Sequence, residues 1–471
     1  MRSRVRFQIP GIAVGLVVVG LQAPAPHAQA PRHLALVGGM LLDGYEAPAI
    51  HHAAIVIDGN KIVQVGPVTE VKIPSDATII DTSGLTMMPG MMETHAHLAI
   101  LGHGEYGRWF AWLAEHKQQF PPETVFEISA KHLLMAGVTA AIDLGGSMKP
   151  SLTVRDRIVR GEVPGPRMLV AGPPINHREG PPGSPDQLLG PGIGITTPAQ
   201  AAAAVEDHIR QGVDVIKCQT PLSFDEYRAI VDTAHKHNVR VHAHLYTERE
   251  LADAFHAGVD VLQHVGSAGV PLYSPGLVKE IVDAGRPVVP TAAHRVFIWP
   301  ATLDFPERLQ NPELKKYTPP EIWAEVQDSL KDYRSLRYFN TTDRQMFFAD
   351  ADMKQWIESG AVMGMGTDSG TPMNFHIDAL WREAKSFADH GMPPIRVISA
   401  LTRVNARIYG KPNELGTIEV GKLADIIVVD GNPLFDIVAL SHVQTVIKDG
   451  VVWKKDGVFV DGSKSRRTSQ D

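Results

Sequence analysis

The stretch Glu93-Thr94-His95-Ala96-His97-Leu98 closes an apolar run that begins at Met87. Side chains alternate across a strand, so His95 and His97 leave the same face and can close on one metal ion. Imidazole nitrogen suits zinc and its transition-metal neighbours, and two such donors on one strand end fix part of a coordination sphere. A His-x-His pair also recurs by accident of composition. Its weight therefore depends on what other strands deliver.

Outward from that stretch, residues 86–412 alternate short apolar runs with longer helical patterns. Eight runs stand out: Met87 to Leu98, Val138 to Leu144, Arg167 to Ala171, Val213 to Cys218, Val239 to Leu245, Val259 to Val265, Pro287 to Ala292 and Ala361 to Gly366. Helical patterns fill several intervals, among them Ala199 to Gln211, Asp225 to His237 and Glu248 to Ala257. Eight repeats of strand and helix predict an α/β fold of the (β/α)8 TIM-barrel type, in which the strand C-termini carry the chemistry. The rival arrangement is a doubly wound open sheet.

The strand ends supply the residues of a two-metal hydrolytic centre. The first run gives His95 and His97, the fourth Lys217, the fifth His244, the sixth His264 and the eighth Asp368. Lys217 is the informative member. A buried ammonium beside divalent cations is strongly unfavourable, whereas burial lowers the amine's pKa and frees it to react with carbon dioxide. The resulting carbamate on Lys217 is an anion with two oxygens, able to bridge two divalent metal ions.

The flanks have a different texture. Residues 31–85 and 413–465 hold short β-branched runs and tight turns, including Asp58-Gly59-Asn60, and neither half is large enough to stand alone. They predict one small β-sandwich assembled from both chain ends. Residues 1–30 read as a signal peptide: Arg2, Arg4 and Arg6, an apolar core from Ile9 to Leu21 that is short for a membrane span, and the triplet Ala28-Gln29-Ala30. Its removal predicts a secreted or periplasmic protein with no stable membrane insertion. The net charge is −7 and becomes −10 without those three arginines, which argues against a nucleic-acid partner. Cys218 is the only cysteine and allows no intrachain disulfide.

One connection is too long for a simple barrel loop. The lid-like insertion 295–350, leaving at His294, carries Trp299, Trp323, Tyr333 and Tyr338 among charged residues. It is expected to be a lid or substrate wall, with an oligomer contact as the alternative.

The segments Met88-Pro89-Gly90-Met91-Met92-Glu93-Thr94-His95-Ala96-His97, Gly366-Thr367-Asp368-Ser369-Gly370 and Leu415-Gly416-Thr417-Ile418-Glu419-Val420-Gly421 resemble the amidohydrolase superfamily. The likeness spans residue 31 to about 460 and is closest to its Xaa-Pro dipeptidase-like and ochratoxinase-like branch. The resemblance implies His95 and His97 on one metal, His244 and His264 on the other, carbamylated Lys217 bridging, and Asp368 beside a bridging hydroxide as general base. Zinc is the expected ion. The family register favours His244 over His242 as the fifth-strand ligand. Cleavage of an amide (C-N) bond in a dipeptide or N-acyl amino acid is implied, and a homo-oligomer is plausible by analogy. Tyr246, His177 and His294 are candidate substrate-binding residues at the rim.

Three rivals share the composition. A lactonase or phosphotriesterase uses the same metal centre. A mononuclear deaminase would lack the bridging lysine and carry Glu where Thr247 stands. A non-catalytic scaffold would have no need for the ligand set.

Overall fold

The structure, a computed structural model, describes residues 33–177, 192–265, 272–294 and 298–462. The leader 1–30 and the Trp299 side chain lie outside the described residues. The chain ends form two sheets, the first from N-terminal strands alone and the second from strands of both ends. One has the order Lys61–Pro67, Ala53–Asp58, His33–Val37, Thr78–Asp81. The other runs Val458–Phe459, Val451–Lys455, Val443–Lys448, Ile426–Asp430, Leu85–Pro89, Met40–Leu41. Leu36, Ile55 and Ile57 from the first and Met87, Ile426, Val428 and Ile447 from the second share one buried apolar cluster. Each such side chain contributes about 2 kcal/mol on burial, so the two halves hold each other.

The first apolar run is two strands rather than one. Leu85–Pro89 pairs antiparallel with Ile426–Asp430, whereas Met91–Ala96 pairs in parallel with Val138–Asp143. The change of sheet falls at Gly90, where a Cβ would stand 2.2 Å from Oγ1 of Thr139. Only glycine permits that approach.

From Met91 onward the fold is α/β and TIM-barrel-like. Met91–Ala96, Val138–Asp143 and Arg167–Val170 form one parallel sheet. Val215–Gln219, Arg240–His244, Val261–Gln263 and Val288–Val289 form a second, with Ile175–His177 and Ile193–Ile195 added at its edge. The backbone N–H of Asp214 donates to Val170 O at 2.9 Å across one gap. The eighth run makes no regular strand. It joins its neighbours through parallel bridges of Met363 to Val288 and of Ser369 to Ala96.

Outer helices follow their local signals. Phe224–Lys236 starts at a capping box of Ser223 and Glu226, and Glu248–Ala257 at one of Thr247 and Glu250. Pro198–Gln211 starts at Thr197 and ends at Gly212, which has φ +95°. Cys218, on the face opposite Lys217, packs into the main apolar core. No helix among the described residues is long and apolar enough to cross a membrane.

The insertion contains helices Ile298–Asp304, Pro320–Ser329 and Arg337–Glu358, the last running past residue 350. Its Trp323, Val326, Leu336 and Phe339 share a buried cluster with Ile100, Leu101 and Trp109 after the first barrel strand and with Met373 and Phe375 after the eighth position. That packing ties the insertion to the two segments carrying His95, His97 and Asp368.

Candidate metal centre

His95 and His97 stand at the end of Met91–Ala96 and just beyond it, fully buried. Nε2 of His97 lies 3.0 Å and Nε2 of His95 3.6 Å from Oδ1 of Asp368. One ligand atom from each of these residues falls within 4.8 Å of the others, a cluster of two imidazoles and one carboxylate. The imidazoles continue as a row: His95 to His264 at 4.5 Å between ring centroids, His264 to His244 at 4.2 Å, and His244 to Tyr246 at 4.2 Å. Lys217 projects into the same place, its Nζ 3.3 Å from Nε2 of His95.

The backbone is bent to deliver these groups. His264, Thr291 and Asp368 all adopt positive φ, at +64°, +53° and +57°. Such conformations cost a non-glycine residue on the order of 1–3 kcal/mol and persist where the surroundings enforce them. Gly366 lets the eighth segment reach His95, since a Cβ there would lie 2.7 Å from the His95 Cβ.

Buried polar groups beneath the row set its protonation. Oε1 of Gln263 accepts from Nδ1–H of His95 at 2.9 Å, which leaves the Nε2 lone pair facing the cluster. Nδ1 of His264 meets Oγ1 of Thr291 at 2.8 Å. Burial, reinforced by Lys217 beside His95 and by His244 beside His264, holds both imidazoles well below their usual pKa and therefore neutral. Glu93 accepts from the N–H groups of His95 and Thr367 and from the Thr367 hydroxyl, joining the first strand to the eighth segment. Burial pushes its carboxyl up to about 8.

Burial brings the Lys217 amine down to about 7, with Asp368 pulling the other way. Burial alone would raise Asp368, but hydrogen bonds with His294 and His97 keep its carboxyl well below the ordinary range. The donor set therefore fits a divalent transition metal: imidazoles of which His95 and His264 are held neutral, an ionised carboxylate and a buried amine able to become a carbamate.

His242 sits one step deeper than His244. Its Nδ1 accepts from Nε2 of Gln263 at 3.0 Å, and burial followed by the Lys217 charge lowers it to about 3. His294 is fully buried, with Nδ1 3.1 Å from Oδ2 of Asp368, nearer the centre than a rim position. His177 is half-buried and bonds Oε1 of Glu226 at 2.7 Å. No hydrogen bond or ring contact among the described residues joins it to the cluster.

Gln263, Thr291, Glu93 and Glu383 escaped the sequence reading. Glu383 accepts from the N–H groups of Ala292 and Ala293 and so steadies the segment between Thr291 and His294. A polar residue inside an apolar strand, as in Leu262-Gln263-His264, is the signal that marks Gln263 and Glu93.

The amidohydrolase family model matches residues 86–453, and the chain belongs to that family. It is a hydrolase acting on carbon-nitrogen bonds, of a family that generally uses divalent metal. Ochratoxinase of Aspergillus niger is 25% identical over 487 aligned positions, covering 92% of this chain and 88% of that enzyme. The crystal structure of a putative prolidase from Bifidobacterium longum superposes with a TM-score of 0.69 at 25% identity, covering 94% of this chain and all of that one. A 5-methylthioadenosine/S-adenosylhomocysteine deaminase of Symbiobacterium thermophilum is 23% identical over 470 positions, covering 91% of this chain and 93% of that enzyme.

Proposed function

We propose that this chain is a binuclear metal-dependent hydrolase that cleaves the amide bond of a dipeptide or N-acyl amino acid. The observation that carries the reading is Lys217, a buried amine 3.3 Å from the neutral imidazole of His95 in the row that continues through His264 to His244. His95 and His97 would hold one ion, His244 and His264 the other, and the Lys217 carbamate would bridge them. Bound divalent ions supply Lewis-acid chemistry, lowering the pKa of water and polarising the scissile carbonyl.

The chain's own residues then move the protons. Oδ1 of Asp368 faces the cluster, so it is the oxygen placed to take a proton from the attacking water and return it to the leaving amine. Tyr246, beside His244 and His264, is placed to hold the polar end of the substrate, and His177 further along the rim is a second candidate. The parallel bridges of Met363 to Val288 and of Ser369 to Ala96 support a closed eight-membered barrel, and the shared cluster of the terminal sheets supports a sandwich. Residues 1–30 support export to the periplasm or beyond.

The deaminase reading is weakened at Thr247, whose hydroxyl accepts from the N–H of Glu250 as a helix cap. A panel of dipeptides, N-acyl amino acids, lactones, phosphotriesters and aminopurines, offered to protein loaded with zinc and bicarbonate, separates the classes. Turnover confined to amides is expected. Turnover confined to lactones or phosphotriesters would replace the amide assignment.

A further inference from the structure

Among the described residues, Tyr338 carries the insertion to the centre. Tyr338, in the first turn of Arg337–Glu358, places its hydroxyl 2.5 Å from Nε2 and 3.2 Å from Nδ1 of His294. His294 comes from the segment after the seventh strand, and its Nδ1 lies 3.1 Å from Oδ2 of Asp368. Oγ1 of Thr371 is 2.9 Å from the same Nε2, but the Thr371 hydroxyl donates to the backbone carbonyl of Asp368 at 2.6 Å.

These partners fix which atom carries each proton. A carboxylate only accepts, so Nδ1 of His294 is the N–H that faces Oδ2. In the neutral ring Nε2 is then a lone pair, and with the Thr371 hydroxyl directed to the Asp368 carbonyl, the Tyr338 hydroxyl at 2.5 Å is placed to donate to it. The two Asp368 oxygens thereby divide their work: Oδ2 is held by His294, while Oδ1 is turned to His97 at 3.0 Å. Tyr338 is itself set by its helix, since Leu336 and Phe339 on either side are buried in the cluster beneath the insertion, and the Tyr106 ring meets it edge-on at 6.1 Å.

We propose that Tyr338 is a positioning residue for catalysis, fixing the His294 tautomer and through it the orientation of the Asp368 carboxylate. The insertion is on this view a working wall of the active site. The inference rests on the role given to Asp368 above, and it reaches beyond it by assigning a function to residues outside the ligand set.

The test uses full-length protein, zinc-loaded and metal-free, as wild type, Y338F, H294N and D368N. The first readout is the downfield proton resonance of the His294 Nδ1–H. It is expected in wild type, absent in H294N, and displaced in both D368N and Y338F. The second is kinetics on whichever amide the panel identifies: Y338F should lose roughly tenfold in kcat, the scale of one hydrogen bond, with KM within about twofold and zinc content unchanged. A Y338F resonance at the wild-type position would overturn the proposal, as would kcat within twofold of wild type. A wild type without amide turnover would defeat the proposed function instead, and the resonance would still decide the Tyr338 contact.

Discussion

Nζ of Lys217 lies 3.3 Å from Nε2 of His95, a buried amine facing a neutral imidazole rather than a carboxylate. With the amine brought down to about 7 by burial, a large fraction is uncharged at neutral pH and nucleophilic toward carbon dioxide. Lys217→Ala should therefore lose zinc and at least about 1000-fold in turnover, with partial recovery when short carboxylic acids fill the carbamate's place. Metal analysis and a carbonyl resonance from labelled bicarbonate check it. Full zinc content in the variant would remove Lys217 from the ligand set.

Gln263 bonds two imidazoles at once, Nδ1 of His95 at 2.9 Å and Nδ1 of His242 at 3.0 Å. Leucine at this position keeps the volume and removes both contacts, so His95 is free to present either tautomer. Gln263→Leu is expected to weaken zinc binding by about 10- to 100-fold, measured by competition with a chelator, while the fold persists. Unchanged affinity would show that the His95 tautomer is set elsewhere.

The convergence of these candidate ligands was legible because each stands at or just past the end of an apolar run, and period-two alternation puts His95 with His97 and Lys217 with the barrel interior. The contacts that tune it were not legible for a physical reason. Tyr338 is 44 residues from His294 and Glu383 is 91 from Ala292, and no local periodicity links such pairs. From the sequence His294 reads as a rim residue, because nothing local marks the long-range packing that buries it 3.1 Å from Asp368. The division of the run from Met87 to Leu98 into two strands was hidden for the same reason, since Gly90 reads as an ordinary residue until Thr139 is packed against it.

Away from the centre, Asp352 is fully buried on Arg337–Glu358 with no hydrogen bond to either oxygen among the described residues. Burial pushes its carboxyl up to about 7 from an ordinary 3.8. Between those values the folded chain holds a proton that the unfolded chain has released, so stability falls as pH rises through the window and stays low above it. Three pKa units bound the effect at about 4 kcal/mol. Asp352→Asn should raise the melting temperature at pH 8 and leave it nearly unchanged at pH 4. An equal shift at both values would mean that packing, and not ionisation, governs the site.

The most direct test of the metal-centre assignment is a titration of metal-free protein with zinc in bicarbonate, following release of free amine from the amide panel. Amine release that rises with zinc and saturates at two ions per chain is expected, with Asp368→Asn binding the same zinc but releasing amine at least about 1000-fold more slowly. No amine at any zinc level, or full activity in Asp368→Asn, would contradict it.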